Sequence, residues 1–120
     1  MDDYGTNLDS IVKLIRKKTD AELIFVTTTY VPDYEAGRYK EDVIKYNEIA
    51  KRIMEANNVR INDMYEKSMW IHKAYGKDTT DVHYLPEGYK ELGLQISDFL
   101  KHELDNRTHA RINHRGQTQI

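Results

Sequence analysis

The chain has 120 residues, 39% of them hydrophobic and 32% charged, enough for one small folded domain and too few for two. A net charge of -2 gives no global reason to expect nucleic acid or an anionic membrane as partner, and no apolar run has the length needed to cross a bilayer. Cysteine is absent, which excludes disulfides, thiol catalysis and thiolate metal sites and leaves the compartment open.

The N-terminus, Met1-Asp2-Asp3-Tyr4-Gly5, is acidic and no apolar segment of signal-peptide type follows it, so a cytoplasmic chain is the default expectation. From Asn7 to Lys18 the apolar residues Leu8, Ile11, Val12 and Ile15 recur at helical spacing, opposite Lys13, Arg16 and Lys17. Asn7 is placed to cap this helix, and its basic end suits the helix dipole. Ala21 to Thr29 is apolar and β-branched without polar alternation, the pattern of a parallel strand covered on both faces.

Tyr30 to Lys40 reads as a loop broken by Pro32 and Gly37. Glu41 to Asn57 is a second amphipathic helix with Val43, Ile44, Ile49, Ile53 and Met54 on its buried side. Val59 to Asp63 is a short strand, and Asn62-Asp63 is suited to cap the helix expected from Met64 to Tyr75, whose inner face carries Met64, Ser68 and Ile71. After a loop from Gly76 to Leu85, Pro86 opens a last helix that runs to about Leu104. Its buried face is read as Tyr89, Leu92, Gly93, Ile96, Phe99 and Leu100.

Helices alternating with strands argue an α/β layer fold with a small parallel sheet. Two strands are too few for a stable parallel sheet, so part of the sheet is expected to come from another polypeptide or from a missing part of a longer chain. Residues 105–120 lack periodicity and carry Arg107, Arg111 and Arg115 with His109 and His114, the composition of a disordered basic tail. A nucleic-acid arm is disfavoured because aromatic residues are not interleaved. Asn106-Arg107-Thr108 fits the glycosylation sequon, a short pattern common by chance.

The stretch richest in chemistry is Asp78-Thr79-Thr80-Asp81-Val82-His83-Tyr84-Leu85-Pro86-Glu87-Gly88-Tyr89. A histidine in a loop just before a helix can reach the rim of a sheet and act as general base for a hydroxyl nucleophile, with a carboxylate holding its tautomer. Taken on its residues alone, the same histidine reads first as a loop residue bonded to backbone, ahead of a catalyst. Tyr84 and Tyr89 read as packing residues of the last helix. His72, His102, His109 and His114 show no metal-site spacing, and neither metal nor cofactor is expected.

With its flanks, this stretch resembles the last conserved block of the SGNH (GDSL-type) hydrolase family, in which Asp-x-x-His precedes a helix opened by Pro-x-Gly-Tyr, here Pro86-Glu87-Gly88-Tyr89. The resemblance extends through Thr27-Thr28-Thr29-Tyr30-Val31-Pro32, Gly37-Arg38, Asp42 to Asn47 and Val59 to Tyr65. It covers residues 4–103 and implies that residues 1–104 are the C-terminal part of an SGNH-like domain. The implied fold is an incomplete flavodoxin-like α/β/α sandwich whose N-terminal strands are missing. The implied activity is hydrolysis of acyl or acetyl esters, often of sugars, without a cofactor, in proteins that are often exported.

The resemblance makes His83 the general base and lets Arg38 border the pocket. It also exposes two departures. The family's carboxylate position, three residues before the histidine, holds Thr80, leaving Asp81 or Asp78 as substitutes; Asp81 is the nearer. The nucleophilic serine and the oxyanion donors belong to blocks upstream of the matched part. Ser10 follows Leu8-Asp9 but lies in a helix pattern, as do Ser68 and Ser97, whereas a nucleophile needs a sharp strand-to-helix turn. An inactive isolated chain is therefore expected, with an ester substrate only if a front half completes it. The alternative is a non-enzymatic module that pairs its open sheet edge in a homo-oligomer or with a complementary chain.

Overall fold

The computed structural model describes residues 2–35, 37 and 39–118, and the side chains of 3–35, 37 and 39–107. Four helices and two strands follow in the order α1 (Asp2–Lys18), β1 (Ile24–Val26), α2 (Lys40–Ala56), β2 (Arg60–Asn62), α3 (Met64–Tyr75) and α4 (Pro86–Thr118). The class is mixed α/β with a two-stranded parallel sheet, in which Ile24 faces Arg60, Phe25 faces Ile61 and Val26 faces Asn62. No helix of the described residues is long and apolar enough to cross a membrane.

Helix α1 begins five residues before Asn7, which lies inside it rather than at its cap. Asp3 favours the positive end of the helix dipole, and Gly5 lets α1 approach α2: a Cβ there would stand 3.1 Å from Ile49 Cγ2. Val12 is buried against Met54 and Val59, with Leu8, Leu23, Phe25 and Ile61 around them. Arg16 does more than favour its own helix end. Its guanidinium donates to the carbonyl of Asn57, the C-cap of α2 and an acceptor the helix end leaves without an intrahelical partner, and to that of Asn58 just beyond it. Asn58 is in the left-handed region at φ 56°, where asparagine is tolerated better than most residues, and turns the chain into β2.

The first strand is shorter than the apolar run suggests. Only Ile24 to Val26 are strand, half-buried at Ile24 and Phe25 and 38% exposed at Val26, so the sheet is not covered on both faces there. Phe25 and Ile61 face the α1–α2 cluster. Asn62, on the opposite face, exchanges two side-chain amide bonds with Gln95 of α4, at 2.9 and 2.6 Å. Helices thus lie on both sides of the two-stranded ribbon.

Beyond Val26, the side chain of buried Asn47 takes the role of a neighbouring strand. It accepts from the Thr28 amide at 2.9 Å and donates to the Thr28 carbonyl at 3.0 Å. Each of these bonds is worth about 1 kcal/mol net, and more if its loss leaves a buried partner unsatisfied. In α2 the deeply buried positions are Asn47, Ala50 and Met54, and Ile44 stays at the surface. The Asn47 amide must reach the end of β1, and that sets the rotation of the helix.

Helix α3 has the expected bounds, and its buried face is Met64, Ser68 and His72. Its cap is not the expected one. Asp63 occupies the cap position without capping, and its carboxylate accepts from the Thr27 hydroxyl at 3.1 Å and from Lys51 at 2.6 Å. The free amide of Tyr65 donates instead to Thr27 Oγ1 at 3.0 Å, so the residue after β1 caps the helix after β2.

Helix α4 continues to Thr118 instead of stopping near Leu104. No glycine or proline interrupts Leu94 to Arg115, and Glu103 and Arg107 anchor the middle of the helix by ion pairs to Arg60 at 3.4 Å and Glu22 at 3.5 Å. The inward stripe is Leu92, Gln95 and Phe99, all half-buried. Tyr89, Ile96, Leu100 and Leu104 form a second apolar stripe that stays at the surface, 38–60% exposed. The radius of gyration is 17.6 Å, against about 14 Å for a compact domain of this length.

Candidate functional site

The ladder of contacts along α4 places the loop before it. Gln95 meets Asn62 at the carboxyl end of β2, while Glu103 and Arg107 meet Arg60 and Glu22 near the amino ends of the strands. The helix therefore runs antiparallel to the sheet, and Pro86 stands beyond the carboxyl ends of the strands by about 14 Å of helix. That side of an open α/β sheet is where ligands bind as a rule.

The loop is held from three directions. Tyr75 and Lys77 pair with it in a short antiparallel arrangement: the Lys77 amide donates to the His83 carbonyl at 3.0 Å and the Leu85 amide to the Tyr75 carbonyl at 2.8 Å, with Gly76 facing Tyr84. Buried His72 donates through Nε2 to the Asp81 carbonyl. From the loop after β1, the Glu35 carboxylate accepts from the Val82 amide at 3.1 Å. Rings stack edge-to-face through the same region, Tyr65 on Tyr30, Tyr30 on His72, His72 on Tyr84 and Tyr84 on Tyr89, with centroids 5.4–6.2 Å apart. Tyr84 is buried and its hydroxyl reaches the Ser68 carbonyl at 3.4 Å.

Gly88 explains the Gly-Tyr part of the motif. A Cβ there would stand 2.8 Å from Tyr84 Cβ and 2.9 Å from the Tyr75 carbonyl, so the first turn of α4 closes on the loop only without a side chain at this position.

Within this frame His83 and Asp81 meet. Asp81 Oδ1 lies 2.6 Å from His83 Nδ1 and also accepts the His83 amide at 2.9 Å. The second bond is an Asx turn, a local closure that any Asp-x-His sequence can make. The first sets the imidazole so that Nδ1–H donates to the carboxylate and Nε2 carries the free lone pair, the tautomer a general base requires. The His83 side chain is 62% exposed and that of Asp81 32%.

Of the two substitutes for the carboxylate at the Thr80 position, Asp81 faces the ring. Asp78 closes its own turn on the Thr79 hydroxyl and the Thr80 amide. The His83 amide, then the His83 ring, holds the Asp81 carboxyl below the ordinary aspartate range. A carboxyl lowered on folding stabilises the loop above its unfolded value and loses that contribution as pH falls through its folded value. In a carbonyl-carbon NMR titration Asp81 is expected to have a midpoint below that of a free aspartate. His83→Ala should raise the midpoint only partway, because the backbone amide remains. An Asp81 midpoint at the free value would remove the contact from the solution structure.

No serine stands on a strand-to-helix turn. Ser10 donates to the Thr6 carbonyl within α1. Ser68 is fully buried, donating to the Tyr65 carbonyl and accepting from the Tyr30 amide. Ser97 is exposed on α4. No group of three or more His, Asp or Glu side chains suited to a metal ion occurs among the described residues. Arg38 lies outside the described residues. The positions that sequence reasoning passed over are His72 and Glu35, which brace the loop. Their role depends on contacts to residues 9 and 47 positions away, which no local pattern announces. Set against protein-family models and against curated proteins, the chain matches none.

Proposed function

We propose that the chain is the C-terminal portion of an SGNH-type ester hydrolase, with His83 as general base and Asp81 as the carboxylate that orients it. The observation that carries this reading is the 2.6 Å contact between Asp81 and His83 Nδ1 on the carboxyl-end side of the sheet, which leaves Nε2 as the basic nitrogen. In such a site Nε2 takes the proton of a serine hydroxyl as its oxygen attacks the ester carbonyl. It then returns the proton to the departing alkoxide and repeats the cycle with water to release the acid.

The nucleophile and oxyanion donors belong to the part of the domain that would complete the sheet. Two features support a missing neighbour. Among the described residues the outer edge of β1 has no strand partner, and the apolar residues Ile11 and Leu14 of α1 and Ile96, Leu100 and Leu104 of α4 are left at the surface. Exposed apolar surface of this extent is typical of an interface.

The test is to express the chain with the sequence that precedes Met1 in its gene and to treat both proteins with a fluorophosphonate and with p-nitrophenyl acetate. The 120-residue chain is expected to be unlabelled and inactive, and the extended protein labelled on one upstream serine and active. An extended protein that takes up no label would overturn the proposal. The same open edge favours a second reading, a non-enzymatic module in which two copies pair β1 against β1. A stable dimer of the 120-residue chain by sedimentation, together with an unlabelled extended protein, would select it.

A further inference from the structure

Beside the His83 loop, α3, the residues that follow it and Tyr30 line a cleft of about 670 Å³, within the size range of small-molecule sites. Trp70, the protein's one tryptophan, lines this cleft and is 60% exposed. Tyr30, His72, Lys73, Lys77 and Asp78 line it as well. A large ring left in water on a concave wall offers its face to a flat ligand, and indole gives the strongest such platform among side chains.

The charge of the cleft is the second clue. Lys73 holds its ammonium 5.6 Å from the Trp70 ring centroid. Neither Lys73 nor Lys77 has a carboxylate within ion-pair distance among the described residues, although the Lys77 charge acts on Asp81 at longer range. Asp78, the acidic residue of the lining, is turned toward the Thr79 hydroxyl and the Thr80 amide. The Lys73 ammonium lies over one face of the Trp70 ring, and with Lys77 also in the lining the cleft matches an anion carried on a flat ring.

We propose that the cleft binds a small ligand combining a planar π system with a carboxylate or phosphate, its ring on Trp70 and its anion between Lys73 and Lys77. The site adjoins the candidate base. The Lys77 amide donates to the His83 carbonyl beside the Gly76–Tyr84 bridge, and residues facing each other across such a pair project to the same side. The cleft thus shares Lys77 with the His83 loop, while His83 itself is not among its lining residues. This assignment is independent of whether His83 works as a base.

A single tryptophan makes the test direct, since fluorescence excited at its red edge reports only Trp70. The protein is titrated with adenosine monophosphate, adenosine, benzoate and inorganic phosphate, and again after the double substitution Lys73→Gln and Lys77→Gln. The expected result is saturable quenching by adenosine monophosphate or by benzoate, at least about tenfold tighter than by adenosine or phosphate alone and weakened about tenfold in the double variant. A preference for the nucleotide assigns a phosphate-bearing ring and a preference for benzoate an aryl carboxylate; either supports the site. Equal response to adenosine and its monophosphate, response to phosphate alone, no quenching by any probe, or full affinity in the double variant overturns it. Both lysines are at the surface, so far-UV circular dichroism of the variant should match that of the parent.

Discussion

In a protein completed by its nucleophile block, His83→Ala is expected to lower kcat for an activated ester by about 10³-fold or more, the range in which removal of a general base falls. Asp81→Asn should cost less, about 10²-fold. An asparagine can keep the Asx turn to the His83 amide, but it loses the negative charge that stabilises the imidazolium, and its amide can favour the wrong tautomer. The carboxylate is also partly open to water, so it contributes less than a buried partner would. Asp78→Asn is the control and should leave kcat unchanged, because its carboxylate is committed to its own turn. If Asp78→Asn and Asp81→Asn have equal effects, the assignment of the orienting carboxylate fails. If His83→Ala leaves kcat intact, the histidine has no part in the mechanism.

Gly76→Ala is expected to be the most damaging small substitution for stability. Gly76 ends α3 with an extended backbone, φ -69° and ψ 147°, so the need for glycine there is steric and not conformational. A Cβ would come within 2.5 Å of the His72 carbonyl and 2.8 Å of His72 Nε2, and that carbonyl is also the acceptor of the Gly76 amide. The backbone cannot move aside without breaking this bond, and displacing His72 removes its support of the Asp81 carbonyl. Overpacking of this kind costs about 3 kcal/mol, which at this chain length lowers Tm by roughly 12 °C. Gly93→Ala is the contrast: nothing lies within 4 Å of its Cβ position, and helix propensity alone should raise stability by about 0.5–1 kcal/mol. A thermal melt of both variants decides the matter, and a Gly76→Ala protein as stable as the parent would show that the His72 contact is loose in solution.

Helix periodicity made α2 and α3 legible to within a residue at each end, and Pro86 marked the start of α4. These signals are local: apolar residues repeat at the helical period, and proline is accepted at the first helical position because its missing amide has no intrahelical use there. The run Ala21 to Thr29 overstated β1 for the opposite reason. β-branched composition reports a tendency, whereas strand structure needs a hydrogen-bonded neighbour, and the pairing with β2 ends after Val26 with one further bond, from the Thr27 amide to the Asn62 carbonyl. The Asp-x-His pair was legible as a candidate, yet the choice between Asp81 and Asp78 depended on how each carboxylate closes its own turn.

What the sequence determined by itself was therefore the alternation of helices and strands, the loop that carries His83, and the absence of any serine on a suitable turn. Tertiary structure alone decided that Asn47 pairs with the backbone of Thr28 beyond β1, that Thr27 caps α3, that Arg16 reaches the end of α2 and that His72 and Glu35 brace the loop that carries His83. Each of these is a polar group satisfied by a residue distant in the chain. The requirement that buried donors and acceptors be paired is general, but which partner meets it depends on the packing of α1, α2 and α4 around two short strands.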